Sequence, residues 1–481
     1  MISVQDDRQA VEFGAVTGFR DGFYRCLSAR ADALFELCDA VSCGERPVTS
    51  LVELSLSPVF RRGHGALYDA LAAGEIDAAG VRDVLVDGLP AAADEGPLLF
   101  TADVTVCPRP DAECSADRGH CHTSCRCDGD RKTIPGWNYA WLAGIQWGRS
   151  SWVSPVDAVR MDPDDDLVAV TAAQIRELAT RLRAAGRTGG AGRLPPMVVM
   201  DSGYPATAMT DAVSDVDVQL LIRLDRDDRV FHRPPPPRVP GRTGRPPKYG
   251  ARFECASPTS WHTPDATLTV DTDRYGRVEV HAWSGLSPKI QARGWFADRS
   301  ELPVVTGTVV HVRVEHLPDG RAPHKDLWLW WAAPEGVPLD LDMLWRVYLR
   351  RFDIEHFFRF AKSTLGWTAA KTRTPAQQDR WTWLTIAAYT QLRLARNLTT
   401  DLRRPWERRP EPDRPLSPHR VRRGFRHIHD RLGTPARVPK PTRPGPGRPP
   451  GSRSGPAQRH PVRKKTEKTD TRQPAGKKQA R

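Results

Sequence analysis

No apolar run in this chain of 481 residues approaches the roughly 20 residues that cross a bilayer, so no membrane-spanning helix is expected. The opening MISVQDDRQAVEF has neither a basic stretch nor an apolar core, so no signal peptide is expected. Cysteine is sparse and odd in number, nine in all, with no Cys-x-x-Cys pair. That argues against a secreted disulfide scaffold and for a reducing cytoplasm. Net charge is almost absent outside the C-terminal segment. The chain carries 71 Lys+Arg against 58 Asp+Glu, net +13, of which residues 435–481 supply +12. That segment is the electrostatic handle, and a polyanion is its expected partner.

The length allows two to four domains. Residues 1–92 read as short helices, with apolar positions at helical spacing broken by glycines, and without a clear helix-turn-helix pattern. They fit either a small DNA-binding bundle or a cap on the next domain. From residue 97 the pattern changes. PLLFTADVTV, NYAWLAGIQW and SSWVSPVDAV read as strands, residues 167–185 as a helix, and PPMVVMD and VQLLIRL as further short strands. The acidic MDPDDD reads as the N-terminus of that helix. Strands interleaved with helices predict an α/β fold built on a mixed sheet, with a first core part over residues 93–225. Residues 226–325 read as a β-rich insertion and 326–400 as the second part of the core. A linker or helical segment comes next over 401–434, then a disordered, basic, Pro-rich tail over 435–481.

The segment WRVYLRRFDIEHFFRFAKSTLGW places Arg351, Glu355 and Lys362 at offsets of three, seven and fourteen residues from Tyr348. That spacing predicts one helix with all four side chains on one face. Alone, such a face suits a metal flanked by phosphates or a solvated helix with ordinary ion pairs. Partner carboxylates upstream decide between them. Asp103 lies within the first core strand, and Asp201 ends a later strand after an apolar run. Three clustered carboxylates raise one another's pKa unless cations neutralise them. Two Mg²⁺ ions about 3.5–4 Å apart relieve that and suit phosphodiester chemistry. Hard carboxylate oxygens favour Mg²⁺ or Mn²⁺ over zinc.

With FTADVTV, VVMDSGYP and YLRRFDIEHFFRFAK in this order, the chain resembles bacterial insertion-sequence transposases of the DDE type, in the cut-and-paste group marked by Y-R-E-K. The resemblance covers roughly residues 97–370, and the 154-residue gap from Asp201 to Glu355 matches the β-rich insertion of that group. It implies an RNase H-like core in which Asp103, Asp201 and Glu355 are catalytic and hold two Mg²⁺ ions, with Mn²⁺ able to substitute. It implies that Tyr348, Arg351 and Lys362 contact phosphates near the cleaved end. The implied partners are double-stranded DNA, as transposon-end inverted repeats and as target, and a second copy of the chain on paired ends. The implied route passes through a hairpin, in the nucleoid of a bacterial cytoplasm, with residues 1–92 as a candidate end-binding part. Two alternatives stand beside this reading: a silent DNA-binding remnant or regulator, and a nuclease that hydrolyses without joining. Asp353 and Asp157 are weaker candidates, the first pointing elsewhere on its helix and the second lacking motif context.

Other signals are less specific. Cys107, Cys114, Cys121, Cys125 and Cys127 cluster with His120 and His122 within 21 residues, at no standard zinc spacing, so free thiols are expected and zinc is not. G-R-P-P occurs twice, and the first copy offers Arg245 and Lys248 to a narrow minor groove, or forms only a linker. The tail is expected to bind DNA phosphates without sequence preference, or only to aid solubility. Trp328, Trp330 and Trp331 read as insertion or sheet core, with base stacking at a flipped nucleotide as the alternative use of such aromatics.

Overall fold

The computed structural model describes residues 2–91, 96–122, 133–147, 152–190, 192–225, 229–237, 247–323, 325–409, 415–441, 449–453 and 455–465. The chain opens with helices α1 (Ile2–Arg25), α2 (Ala31–Cys43), α3 (Leu51–Ser55), α4 (His64–Ala73) and α5 (Ala78–Asp87). Asp77 caps α5 by accepting from the backbone N–H groups of Ala79 and Gly80, which satisfies two otherwise orphaned donors. From Ala33 to Cys43 every residue of α2 is buried. An amphipathic surface helix would leave one face wet, so α2 sits at the centre of its layer.

The sheet then begins with β1 (Leu99–Pro108), β2 (Gly119–His122), β3 (Thr133–Ile145) and β4 (Ser154–Met161). Next come α6 (Leu167–Ala184), β5 (Met197–Met200), α7 (Ala206–Ala212) and β6 (Gln219–Arg223). Asp166, the last acid of MDPDDD, accepts from Val168 and Ala169 as the cap of α6. β3 pairs antiparallel with β4 and β1, β1 pairs parallel with β5, and β5 parallel with β6. This order, 4-3-1-5-6, is consistent with an RNase H-like fold. The region read as a β-rich insertion contributes β7 (Val230–His232), β8 (Arg252–Glu254), β9 (Ala266–Thr272), β10 (Gly276–Pro288) and β11 (Gly307–Val314). These strands extend the same sheet. β12 (Leu327–Ala332) joins β6 to β11 by antiparallel pairing on both sides, making one 12-stranded sheet.

Period two divides the sheet's side chains between two cores. Phe100 and Ala102 face α6 and α7 together with Leu142, Val198 and Met200. Leu99, Cys107, Trp141, Met197 and Val199 face the other way. Over that second face lie the helices α8 (Leu341–Arg350), α9 (Asp353–Ser363), α10 (Pro375–Leu394) and α11 (Pro418–Leu432), together with α1–α5. Residues 2–91 therefore share a core with α10 and are not held on a separate body. A buried polar knot ties them in. Arg20 of α1 reaches Asp39 of α2 at 2.5 Å, Gln391 of α10 at 2.5 Å and the Gly433 carbonyl at 2.9 Å, and His429 of α11 contacts Asp39 at 3.0 Å.

Two expectations change. The Tyr348–Lys362 segment is not one continuous α-helix, because it passes from α8 to α9 at Arg351 and Phe352. Arg351, Ile354 and Glu355 donate to the carbonyls three residues back, so the junction tightens locally while the backbone stays right-handed. Nor is the whole tail disordered. Residues 455–465 run along the 113–119 loop, where the His460 N–H donates to Glu113 O and the Arg463 N–H to Arg118 O. Arg463 also pairs with Asp164 at 2.5 Å and Arg459 with Glu113 at 3.1 Å. Opposite charges supply an anchor that the Pro-rich composition hides. Residues 466–481 lie outside the described residues.

Candidate active site

Parallel pairing of β1 with β5 sets Thr101 opposite Val199. Two residues further on, the alternation places Asp103 beside Asp201 on the same face. Pairing of β5 with β6 sets Met200 opposite Ile222, so Arg223 continues the row beyond Asp201. On the other side, Asp103 is paired with Trp141 of β3. The sheet thus presents Trp141, Asp103 and Arg223 from β3, β1 and β6, with Asp201 directly beyond β5 on the same face.

The α8–α9 junction closes over this line. Arg351 is 6% exposed, and its Nη1 lies 3.5 Å from Asp103 while its Nη2 donates to Glu355 at 3.3 Å. Burial alone would lower its pKa, but Tyr348, Asp103, Asp201 and Glu355 outweigh that, and the net shift is upward. Burial, then the charge of Asp201, pushes the Asp103 carboxyl up to about 6, with Arg351 opposing. Asp103 Oδ1 accepts from the Val104 N–H at 2.8 Å, and Asp201 Oδ1 accepts from the Gly203 N–H at 2.8 Å. Both carboxylates are therefore held by backbone. Lys362 donates to Thr105 Oγ1 at 2.6 Å, two residues beyond Asp103 on the same face. Burial lowers the Lys362 pKa, and Cys107 and Asp103 oppose it. Tyr348 is buried and its pKa is raised, first by burial, while the neighbouring Arg351 and Arg223 oppose the shift.

The structure thus brings Asp103, Asp201, Glu355, Arg351, Tyr348 and Lys362 to one face of the sheet. They are packed there by aromatic contacts of Trp141 with Phe357 at 5.4 Å, Phe358 at 5.8 Å and Trp367 at 5.5 Å. Gly366 follows α9 at φ +73°, where an added Cβ would come within 2.7 Å of Val48, so only glycine seats this end of α9 against the N-terminal helices. Among the described residues, no three His, Cys, Asp or Glu side chains are gathered closely enough to hold a metal ion. The guanidinium of Arg351 is the cation among the carboxylates here. The donor set itself, three carboxylates offering hard oxygens, fits Mg²⁺ or Mn²⁺.

Other sequence candidates fall elsewhere. Asp353 pairs with Arg350 and is pushed up to about 6 by burial. Asp157 is buried in a pair with Arg82 at 2.7 Å and accepts from Gln174 at 2.9 Å. Lys248 is exposed and donates to the Leu302 carbonyl at 2.6 Å, while Arg245 lies outside the described residues. Burial pushes the Cys107 thiol up to about 11 and the Cys121 thiol up to about 12, so neither is a ready thiolate at neutral pH. Cys114 is exposed, and Cys125 and Cys127 lie outside the described residues. Trp328, Trp330 and Trp331 are buried on β12.

Sequence reasoning missed Arg223, Thr105 and Tyr204. Arg223 is signalled only by a lone cation ending the apolar run LLI. Tyr204, three residues past Asp201, is 2% exposed, and Thr171 is the side chain near enough to hydrogen-bond its hydroxyl. Burial, then the charge of Asp103, holds its pKa far above the usual phenol value.

Residues 22–289 match the family model described as DDE superfamily endonuclease. The match spans more than half of the chain, and the chain belongs to that family. The matched residues include Asp103 and Asp201 and end before Glu355. Membership supports nuclease chemistry on DNA, and members of the superfamily typically use divalent metal ions. No curated protein matches the chain significantly.

Proposed function

We propose that this protein is a DNA transposase of the insertion-sequence Y-R-E-K group, cutting DNA at transposon ends and joining the ends to target DNA. The observation that carries this reading is that Asp103, Asp201 and Glu355, from three separate elements, all act on the one buried guanidinium of Arg351. Asp103, Asp201 and Glu355 are the residues that would hold Mg²⁺ or Mn²⁺, which when bound activates water or a 3′-hydroxyl and stabilises the leaving oxygen.

The chain's own residues do the rest. The backbone N–H groups of Val104 and Gly203 fix two of the carboxylates. Arg351 neutralises the acid cluster while DNA is absent, and its planar fork matches a phosphate when DNA arrives. Lys362, Tyr348 and Arg223 surround the same face with donors for neighbouring phosphates. A second copy on the paired end completes the working complex, and a hairpin is the intermediate between end cleavage and joining.

A plasmid carrying two of the element's ends tests the reading. Incubation with Mg²⁺ is expected to release the element with hairpin termini and to yield strand-transfer products. Cleavage without joined products would assign a hydrolytic nuclease. Binding to the ends without cleavage, by folded protein, would assign a silent regulator.

A further inference from the structure

Away from the acid centre, α1, the C-terminal end of α5 and the C-terminal end of α10 enclose a cavity of about 460 Å³. That lies within the usual range of small-ligand sites, about 300–1,000 Å³. Its wall carries Arg25, Arg393 and Arg396, with Glu12 and Asp87 as the acids.

Arg393 is only 4% exposed. Its Nη2 donates to the Gly88 carbonyl at 2.6 Å, and among the described residues its Nε has no partner. Among the described residues no carboxylate pairs with it. Arg396 Nη1 is also buried without a partner among the described residues. Glu12 acts electrostatically on Arg396, but it also accepts from Asn397 at 2.7 Å, so one carboxylate serves two side chains. Burial and then the charge of Arg396 push the Arg393 pKa down to about 10. A helix C-terminus favours cations. It does not supply acceptors for a buried Nε and a buried Nη1, and unpaired buried guanidinium donors are costly.

We propose that this cavity binds a phosphate group, with Arg393 and Arg396 as its ligands. Two guanidinium side chains lining one cavity match the charge and the several acceptor oxygens of phosphate. The two wall acids, Glu12 and Asp87, do not balance the three guanidinium groups of Arg25, Arg393 and Arg396. The phosphate belongs either to a DNA backbone or to a free anion. The site stands whether or not the acid centre is catalytic, because it rests on different residues.

Thermal unfolding of the full-length protein, in inorganic phosphate against chloride at matched ionic strength, tests the site. Wild type is expected to gain about 2 °C or more from phosphate. Arg396→Gln, at the less buried position, is expected to lose at least half of that gain. Arg393→Met is expected to abolish it, and Arg396→Gln decides the matter if Arg393→Met does not fold. No phosphate-specific gain in wild type, or a full gain in folded Arg396→Gln, would overturn the proposal. A second arm measures duplex affinity against salt. A slope reduced by about one in Arg396→Gln assigns a DNA phosphate, and an unchanged slope with a lost phosphate response assigns a free anion.

Discussion

Asp103 on β1 and Asp201, directly after the parallel strand β5, are the next same-face positions beyond the paired Thr101 and Val199, and the Asp201 charge acts on the Asp103 carboxyl. Two carboxylates so placed, one of them largely buried, are a costly arrangement for a fold to keep, because the charge of Asp201 disfavours the ionised form of Asp103. Arg351 relieves part of that cost from above.

Arg351 reaches Asp103 and Glu355 with two different nitrogens, at 3.5 and 3.3 Å. A lysine offers one point charge and cannot span both. Arg351→Lys is therefore expected to reduce Mg²⁺-dependent end cleavage by roughly 10²-fold, on the scale of losing one well-placed donor. Single-turnover cleavage checks this, alongside end binding, which should change far less.

Lys362 is expected to contribute a phosphate contact. Lys362→Ala should weaken duplex binding about equally across sequences and lower the salt slope by about one. Titrations at several salt concentrations give the slope directly.

Trp141 is the floor on which α9 is seated. Trp141→Ala removes three aromatic contacts and is expected to destabilise the protein by about 3–5 kcal/mol, measured by urea unfolding. Cleavage should fall even under conditions where the variant remains folded, because Phe357 and Phe358 hold the helix that carries Glu355.

The Arg20–Asp39 pair has a definite pH signature. Burial would raise the Asp39 pKa, but Arg20 and His429 outweigh it, and the folded-state value is lowered. Its contribution to stability is thus present above the unfolded carboxylate pKa of about 3.9 and lost as pH falls through the lower folded value. Asp39→Asn is expected to cost about 3–5 kcal/mol at neutral pH by stranding Arg20. The difference from wild type should shrink below about pH 4, as read by urea unfolding across that range.

Removing residues 455–481 is expected to weaken non-specific DNA binding and flatten its salt dependence. Stability should barely move, because the anchoring pairs are exposed, Arg459 and Glu113 being 80% and 60% so. Mobility-shift titrations and melting curves separate the two effects.

The sequence carried much of this arrangement. Asp103 and Asp201 could be read because each lies within or directly after an apolar strand, and strand alternation preserves the face. The tightened turn at Arg351 and Phe352 was hidden, since hydrogen bonds to the third or the fourth residue back leave similar faces over so short a run. Arg223 was invisible for a different reason: its neighbour across the sheet depends on strand order, which local pattern does not encode. The docked stretch 455–465 was masked by tail composition, because its anchors are specific pairs with Glu113 and Asp164. The sharing of one core by α2 and α10 likewise depends on contacts between segments far apart in the chain, such as Cys38 Sγ to the Leu384 carbonyl.

The central claim is that Asp103, Asp201 and Glu355 act as one unit, and cleavage of a duplex bearing the element's end tests it most directly. Asp103→Asn, Asp201→Asn and Glu355→Gln are each expected to bind the end and to lose at least about 10²–10³-fold of the Mg²⁺-dependent cleavage rate. Retention of cleavage within about tenfold of wild type by any one of the three, in folded and DNA-bound protein, would contradict the account.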